Sequence, residues 1–221
     1  MKNMLIPDYS IEENYTEKGL VLGLDEVGRG CWAGPLTVAA FWINPNFLRD
    51  IPNNINDSKL LSKKIRKKIE LKIKNKIYNN QWKVKHINSK IIDKLGIQKA
   101  TYIAFNSVVL SLSETLSKRF KLNTSMVLID GNYNFNFSFP SKNIIKGDQK
   151  CLSISSASII AKQERDKLMT RLSINYPQYN WDKNVGYGTF GHKEAIEKFG
   201  ITKYHRKSYK PILKIHDQLN N

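Results

Sequence analysis

Asp25-Glu26-Val27-Gly28-Arg29-Gly30 places two adjacent carboxylates and a Gly-Arg-Gly turn directly after the apolar run Val21-Leu22-Gly23-Leu24. An unpaired carboxylate at the end of a buried strand is costly to desolvate, so the pair points to a positively charged ligand. The glycines let a ligand approach bare N–H groups, and the arginine offers a planar cation suited to phosphate. The combination points to metal ligands beside a phosphate-sized turn. Two more aspartates stand in the same relation to short apolar segments. Asp130 ends Met126–Ile129 and precedes Gly131; Asp148 follows Ile144-Ile145-Lys146-Gly147. In open α/β sheets, ligands sit outside the carboxyl ends of the strands. Asp25, Glu26, Asp130 and Asp148 could therefore meet at one sheet edge. Hard oxygen ligands of this kind suit Mg²⁺ or Mn²⁺, and two such ions about 4 Å apart can activate water and stabilise the leaving oxygen of a phosphodiester. Neighbours on a strand point to opposite faces, so Asp25 and Glu26 are both central only if the strand has already turned. Taken singly, Asp130 or Asp148 reads better as a turn residue or helix cap; taken with the Gly-Arg-Gly turn, they do not.

The elements that must position these groups follow from pattern. Residues 1–19 read as an irregular lead-in, and residues 20–25 and 36–43 as two strands of a hairpin across a Gly- and Pro-rich turn. Ser62 caps a predicted helix to about residue 79, with Ile65, Ile69, Ile73 and Ile77 on one ridge. A half-buried strand is expected over 82–87. A short helix from Ser89 to near Gly96 and a long one over 97–117 follow. Residues 125–130 and 143–146 are β-rich, 154–172 reads as a helix, and Thr189 caps a last one ending at Gly200. Strands first, then strands alternating with helices, predict an α/β chain with helices packed on a mixed sheet.

The chain of 221 residues, 41% hydrophobic, is globular and ample for one α/β core. No apolar run approaches the ~20 residues of a membrane span. The N-terminus reads as no secretory leader. Two cysteines, Cys31 and Cys151, make no disulfide framework and no Cys/His metal spacing. A cytoplasmic monomer is the expectation. The net charge of +17 favours a polyanionic partner, nucleic acid foremost. Biased codon supply would also enrich Lys, Asn and Ile together, so charge supports that partner without establishing it.

With these motifs in place, the chain resembles the ribonuclease HII family, over roughly residues 20–210. The resemblance rests on Gly23–Gly30 with Ala33-Gly34-Pro35; Asp57-Ser58-Lys59; Ile129-Asp130-Gly131-Asn132; Lys146-Gly147-Asp148; Ser156–Lys162 with Arg165-Asp166; Gly186-Tyr187-Gly188-Thr189 with His192; and His205–Tyr209. It implies a ribonuclease-H-like fold: a mixed five-stranded sheet flanked by helices, in a single catalytic domain over 20–221 with a helical C-terminal part from about 175. It implies metal-dependent hydrolysis of RNA in RNA–DNA hybrids. It also implies cleavage 5′ to ribonucleotides embedded in duplex DNA, leaving a 3′-hydroxyl and a 5′-phosphate, the first step of ribonucleotide excision repair. The family's four metal-binding acids fall on Asp25, Glu26, Asp130 and Asp148. Its ribose-sensing turn falls on Gly28, Arg29 and Gly30, and its substrate-contacting tyrosine on Tyr187. The 2′-hydroxyl distinguishes RNA from DNA, and glycine backbone with a tyrosine hydroxyl is suited to read it.

Other substrate contacts are read from position. Lys59 could meet phosphate or belong to a solvated lysine face. Ser158, Lys162 and Arg165, at i, i+4 and i+7, share a helix face that could track one strand. His192 reads equally as a substrate-side or a helix-start residue, and Cys31 as packing. Leu60 and Gln163 depart from the family pattern without touching the four acids. The C-terminal stretch 214–221 reads as a segment that could bind a replication partner or, better, as a frayed end. Two rivals remain open on the residues alone. A junction-resolvase-like nuclease of the same fold leaves the Gly-Arg-Gly turn and Gly-Tyr-Gly-Thr without a purpose. A non-catalytic nucleic-acid-binding protein leaves four phosphate-repelling acids unexplained.

Overall fold

The computed structural model describes residues 6–52, 55, 58, 61–74 and 80–220. Five strands, β1 (Leu20–Val27), β2 (Leu36–Trp42), β3 (Trp82–Ile87), β4 (Thr124–Asp130) and β5 (Ser141–Ile144), form one mixed sheet in the order β3-β2-β1-β4-β5. Apolar, β-branched runs build its centre: β2 is buried along its whole length, and β1 through Asp25. β1, β4 and β5 are mutually parallel, with Leu24 opposite Ile129 and Asp130 opposite Ile144. That register brings Asp25 and Asp130 to the same edge at the same level, because each follows one member of the Leu24–Ile129 pair.

The helices are α1 (Ser10–Thr16), α2 (Lys63–Ile73), α3 (Ser89–Phe120), α4 (Leu152–Asn175), α5 (Trp181–Asn184), α6 (Phe190–Phe199) and α7 (Lys210–Asn220). Ser62 caps α2 as its sequence predicts, accepting a hydrogen bond from the Ile65 amide at 3.3 Å. Ile73 ends the helix, and Ile77 lies outside the described residues. Within α3, Gly96 takes φ 76° and ψ 155°, so two helices meet there, as the sequence places them. Thr189 caps α6 through the His192 amide, and Gly200 ends it.

Packing divides the chain into two compact units. The first comprises Met1–Glu26, Val38–Lys85 and Phe105–Gln163; the second comprises Val27–Thr37, His86–Ala104 and Glu164–Asn221. In the first, Val21, Leu128, Ile144, Cys151 and Ile154 form a cluster covered by Ile11, Tyr15 and Met126. The lead-in is thus not irregular: α1 is helical because Ile11 and Tyr15 lie four apart and bury one face. Buried Glu12 accepts from the amide and hydroxyl of Ser153, at 2.8 and 2.7 Å, at the start of α4. In the second unit, Tyr179, Trp181, Met169, Ile196, Ile212 and Ile215 form the core. The C-terminal stretch is corrected too. Through Asn220 it is helical rather than frayed, because Ile212 and Ile215 on one face of α7 are buried.

Candidate active site

The four acids belong to the first unit. Asp25 sits near the end of β1 and is 6% exposed; Glu26, half-buried, follows it on the same strand. β1 continues through Val27, so the strand has not turned before the pair. The Glu26 amide donates to Asp25 Oδ1 at 2.7 Å. Asp130 is the last residue of β4, and its Oδ1 accepts from the Gly147 amide at 2.7 Å. Asp148 is buried in the single 3-10 turn Gly147–Gln149 that follows β5. That turn is fastened to α4 by the Ser155 hydroxyl, which donates to the Asp148 carbonyl.

Asp25 is the electrostatic centre of this group. Burial holds its carboxyl well above the usual carboxylate range, and the charges of Glu26, Asp130 and Asp148 raise it further; the Ser158 hydroxyl, bonded to it, works the other way. The charged neighbours that act on it are acids. Among the described residues no three His, Cys, Asp or Glu side chains are gathered closely enough to hold a metal ion. The donor set is nevertheless of the kind that Mg²⁺ or Mn²⁺ takes: carboxylate oxygens around a buried acid that neighbouring acids push further above its usual range.

Gly23 makes the Asp25–Ser158 contact possible. A Cβ there would stand 2.3 Å from the Ser153 carbonyl carbon and 2.4 Å from the Ile154 nitrogen, so only glycine lets α4 lie this close to β1. Ser158 is 4% exposed, with its Oγ 2.9 Å from Ser58 Oγ. This corrects its reading as a substrate contact: the close packing of α4 on β1 turns it inward onto Asp25. Lys162 is half-buried on the same helix. Lys59 and Leu60 lie outside the described residues.

The second unit holds the glycine turn and Tyr187. Gly28 has φ +88°, and a Cβ on it would collide with the Arg165 side chain at 2.2 Å. Arg165 is fully buried. Its Nε, Nη1 and Nη2 donate to the carbonyls of Pro35, Val185 and Ala33 at 2.9, 2.7 and 3.2 Å. The expectation that it tracks a nucleic-acid strand is therefore wrong, because the side chain is fully buried and bonds three backbone carbonyls. Arg206, equally buried, donates to the Gly34 carbonyl and to the Arg29 carbonyl, the latter at 2.7 Å, and Tyr209 also donates to the Arg29 carbonyl. The turn is thus fixed from behind by two arginines and a tyrosine. Arg29 remains half-buried and Gly30 exposed. Among the described residues, no atom beyond its chain neighbours lies within 4 Å of a Cβ placed on Gly30.

Tyr187 is 43% exposed. Its carbonyl accepts from the Thr189 amide at 2.9 Å and from His192 Nδ1 at 2.8 Å. His192 is fully buried, which settles its alternatives: it starts α6 and faces the core, not substrate. Arg206, Tyr209 and His205 were not singled out for roles by sequence reasoning. Their motif was visible, but what they hold lies more than a hundred residues away along the chain for Arg29 and Gly34.

The chain matches the family profile described as Ribonuclease HII over residues 22–212. It is 37% identical over 212 residues to a Ribonuclease HII of Paracoccus denitrificans (strain Pd 1222), covering 95% of this chain and 94% of that protein. It is 42% identical over 198 residues to one of Pelagibacter ubique (strain HTCC1062), covering 87% and 97%. A solved ribonuclease H2 of Pyrococcus horikoshii OT3 shares the fold, with a TM-score of 0.70 at 22% identity, covering 91% of this chain and 99% of that one. With the profile spanning most of the chain and relatives matching nearly end to end, the chain belongs to the ribonuclease HII family of metal-dependent endonucleases.

Proposed function

We propose that the protein hydrolyses RNA in RNA–DNA hybrids and cuts 5′ to ribonucleotides embedded in duplex DNA, as one catalytic domain over 20–221. The products are a 3′-hydroxyl and a 5′-phosphate, and the cut opens ribonucleotide excision repair. The observation that carries this is the convergence of Asp25, Asp130 and Asp148 on the C-terminal edge of three parallel strands, with Asp25 buried among like charges. Asp25, Glu26, Asp130 and Asp148 would hold two divalent ions, Mg²⁺ or Mn²⁺. Such ions supply activation of the attacking water and charge stabilisation at the departing 3′ oxygen. Ser158 orients the Asp25 carboxylate, and Gly147 orients Asp130 through its amide.

Ribose recognition belongs to Gly28, Arg29, Gly30 and Tyr187. The exposed backbone at Gly30 and the Tyr187 phenol are the groups that can address a 2′-hydroxyl, which both donates and accepts. Lys162 and Lys59 contact phosphate. The decisive experiment maps cleavage products on a duplex carrying one ribonucleotide, against an all-DNA junction and a uniform hybrid, with Mg²⁺ and Mn²⁺ in turn. A single cut 5′ to the ribonucleotide is expected. Cleavage of the junction instead, or nucleic-acid binding without hydrolysis in either metal, would refute the reading.

A further inference from the structure

Behind Tyr187 lies a buried pair of imidazoles whose protons are fixed by their partners. The Trp181 indole N–H can only donate, and it points at His192 Nε2 at 3.1 Å. His192 Nε2 therefore accepts, and the proton sits on Nδ1, which donates to the Tyr187 carbonyl at 2.8 Å. The Thr202 amide donates to His205 Nδ1 at 2.8 Å. The His205 proton is therefore on Nε2, 3.2 Å from His192 Nε2. The Trp181 and His205 donors share the one lone pair of His192 Nε2, and the direction runs one way: Thr202 amide, His205, His192, Tyr187 carbonyl.

We propose that His192 and His205 are positioning residues for ribose recognition, relaying hydrogen bonds from the Thr202 backbone to the Tyr187 carbonyl and so fixing where the Tyr187 phenol stands. The inference rests on the reading of Tyr187 as a ribose contact. Packing alone does not account for the pair, because two imidazoles desolvated in an aromatic core cost more than apolar residues of similar volume. The backbone leading into Tyr187 is also over-determined. Val185 is held at φ 43°, a left-handed conformation costly for a β-branched residue. It is retained by Arg165 on its carbonyl and by the Trp32 and Ala33 amides on the Gly186 carbonyl. Strain accepted on one side of an exposed tyrosine, and a one-way relay on the other, specify the position of that residue. Burial lowers both imidazoles, His205 to about 3, so they remain neutral and the relay keeps its direction under ordinary conditions.

Two measurements test this. In ¹⁵N-histidine-labelled protein, which has four histidines, one ring should be protonated at Nδ1 only (His192) and one at Nε2 only (His205); any other assignment of the two overturns the relay. The second measurement is the ratio of cleavage of a single-ribonucleotide duplex to that of a uniform hybrid. Tyr187→Ala should lower the ratio at least about tenfold. His205→Leu and His205→Asn, which remove the Nε2 donor, should lower it about fivefold, the effect of one lost neutral hydrogen bond. His205→Gln, which keeps a donor there, should stay within roughly twofold of the native ratio. Tyr187→Ala combined with His205→Asn should match Tyr187→Ala alone. An unchanged ratio in Tyr187→Ala would remove both the tyrosine reading and the relay. A lowered ratio there, with His205→Asn depressing both substrates equally or neither, would remove the relay alone. Should His205→Leu fail to fold, His205→Asn and the proton assignment decide.

Discussion

Asp25 is a buried carboxylate among acids, bonded by the Ser158 hydroxyl and the Glu26 amide. Asp25→Asn removes the repulsion from those acids together with the charge that would bind a cation. The expected outcome is a fold at least as stable without metal, substrate binding largely kept, and turnover reduced at least about a thousandfold, as for loss of a principal electrostatic group; single-turnover kinetics and a binding titration check it. Gly30 gives a complementary test. Among the described residues, a methyl group added at Gly30 meets no atom beyond its chain neighbours, so Gly30→Ala should leave the urea midpoint unchanged. If the bare backbone there reads a ribose, the same change lowers cleavage at a single ribonucleotide, and unchanged cleavage would take Gly30 out of the recognition surface.

Between elements, the decisive bonds run from buried polar side chains to backbone. Arg165 on α4 ties Ala33, Pro35 and Val185. Arg165→Ala strands three carbonyls and leaves a cavity, so a loss of about 3 kcal/mol or more is expected by denaturant unfolding. Arg165→Lys should recover only part, since an ammonium lacks the planar fork. The histidine pair adds a pH signature. His205 falls from its ordinary 6.5 to about 3, through burial first and neighbouring His192 second. Among the described residues, the titratable rings packed on the pair are each other and Tyr179, beside the Trp181 indole. A depressed histidine stabilises the fold fully above pH 6.5 and loses that contribution as pH falls toward about 3. Urea midpoints measured from pH 7 to 4 should therefore fall more steeply for the native protein than for His205→Gln.

At the scale of the whole molecule, the net charge of +17 governs encounter with a polyanion. The logarithm of the binding constant for a hybrid duplex should fall linearly with the logarithm of salt concentration, and Lys162→Ala should lessen the slope by roughly 0.7–0.9, the effect of one phosphate contact. An unchanged slope would mean that Lys162 meets no phosphate. Among the described residues no helix is long and apolar enough to cross a membrane. Membership of the ribonuclease HII family disposes of the non-catalytic alternative that charge alone would allow.

The central strands, the starts of α2, α3 and α6 and the stop of α6 were legible in the sequence because these are local: an apolar run ends, a serine or threonine caps, a glycine stops; β5 and the ends of α2 and α4 lie two to six residues from where pattern put them. Ser62, Thr189, Gly96 and Gly200 act where their spacing puts them. Family membership was likewise legible, since its motifs are short and ordered. Which polar residues face inward depends on packing between elements. Ser158 and Arg165 share a helix face with Lys162 in sequence, but the approach of α4 to β1 that Gly23 permits turns Ser158 onto Asp25, and three carbonyls claim Arg165. α1 escaped notice because it is short and forms through what it buries, whereas α7 carries a clear apolar face with Ile212 and Ile215 and was open to reading from that spacing. Partners such as Arg206 and the Arg29 carbonyl are far apart along the chain, and periodicity carries no information about a contact between residues that only folding brings together.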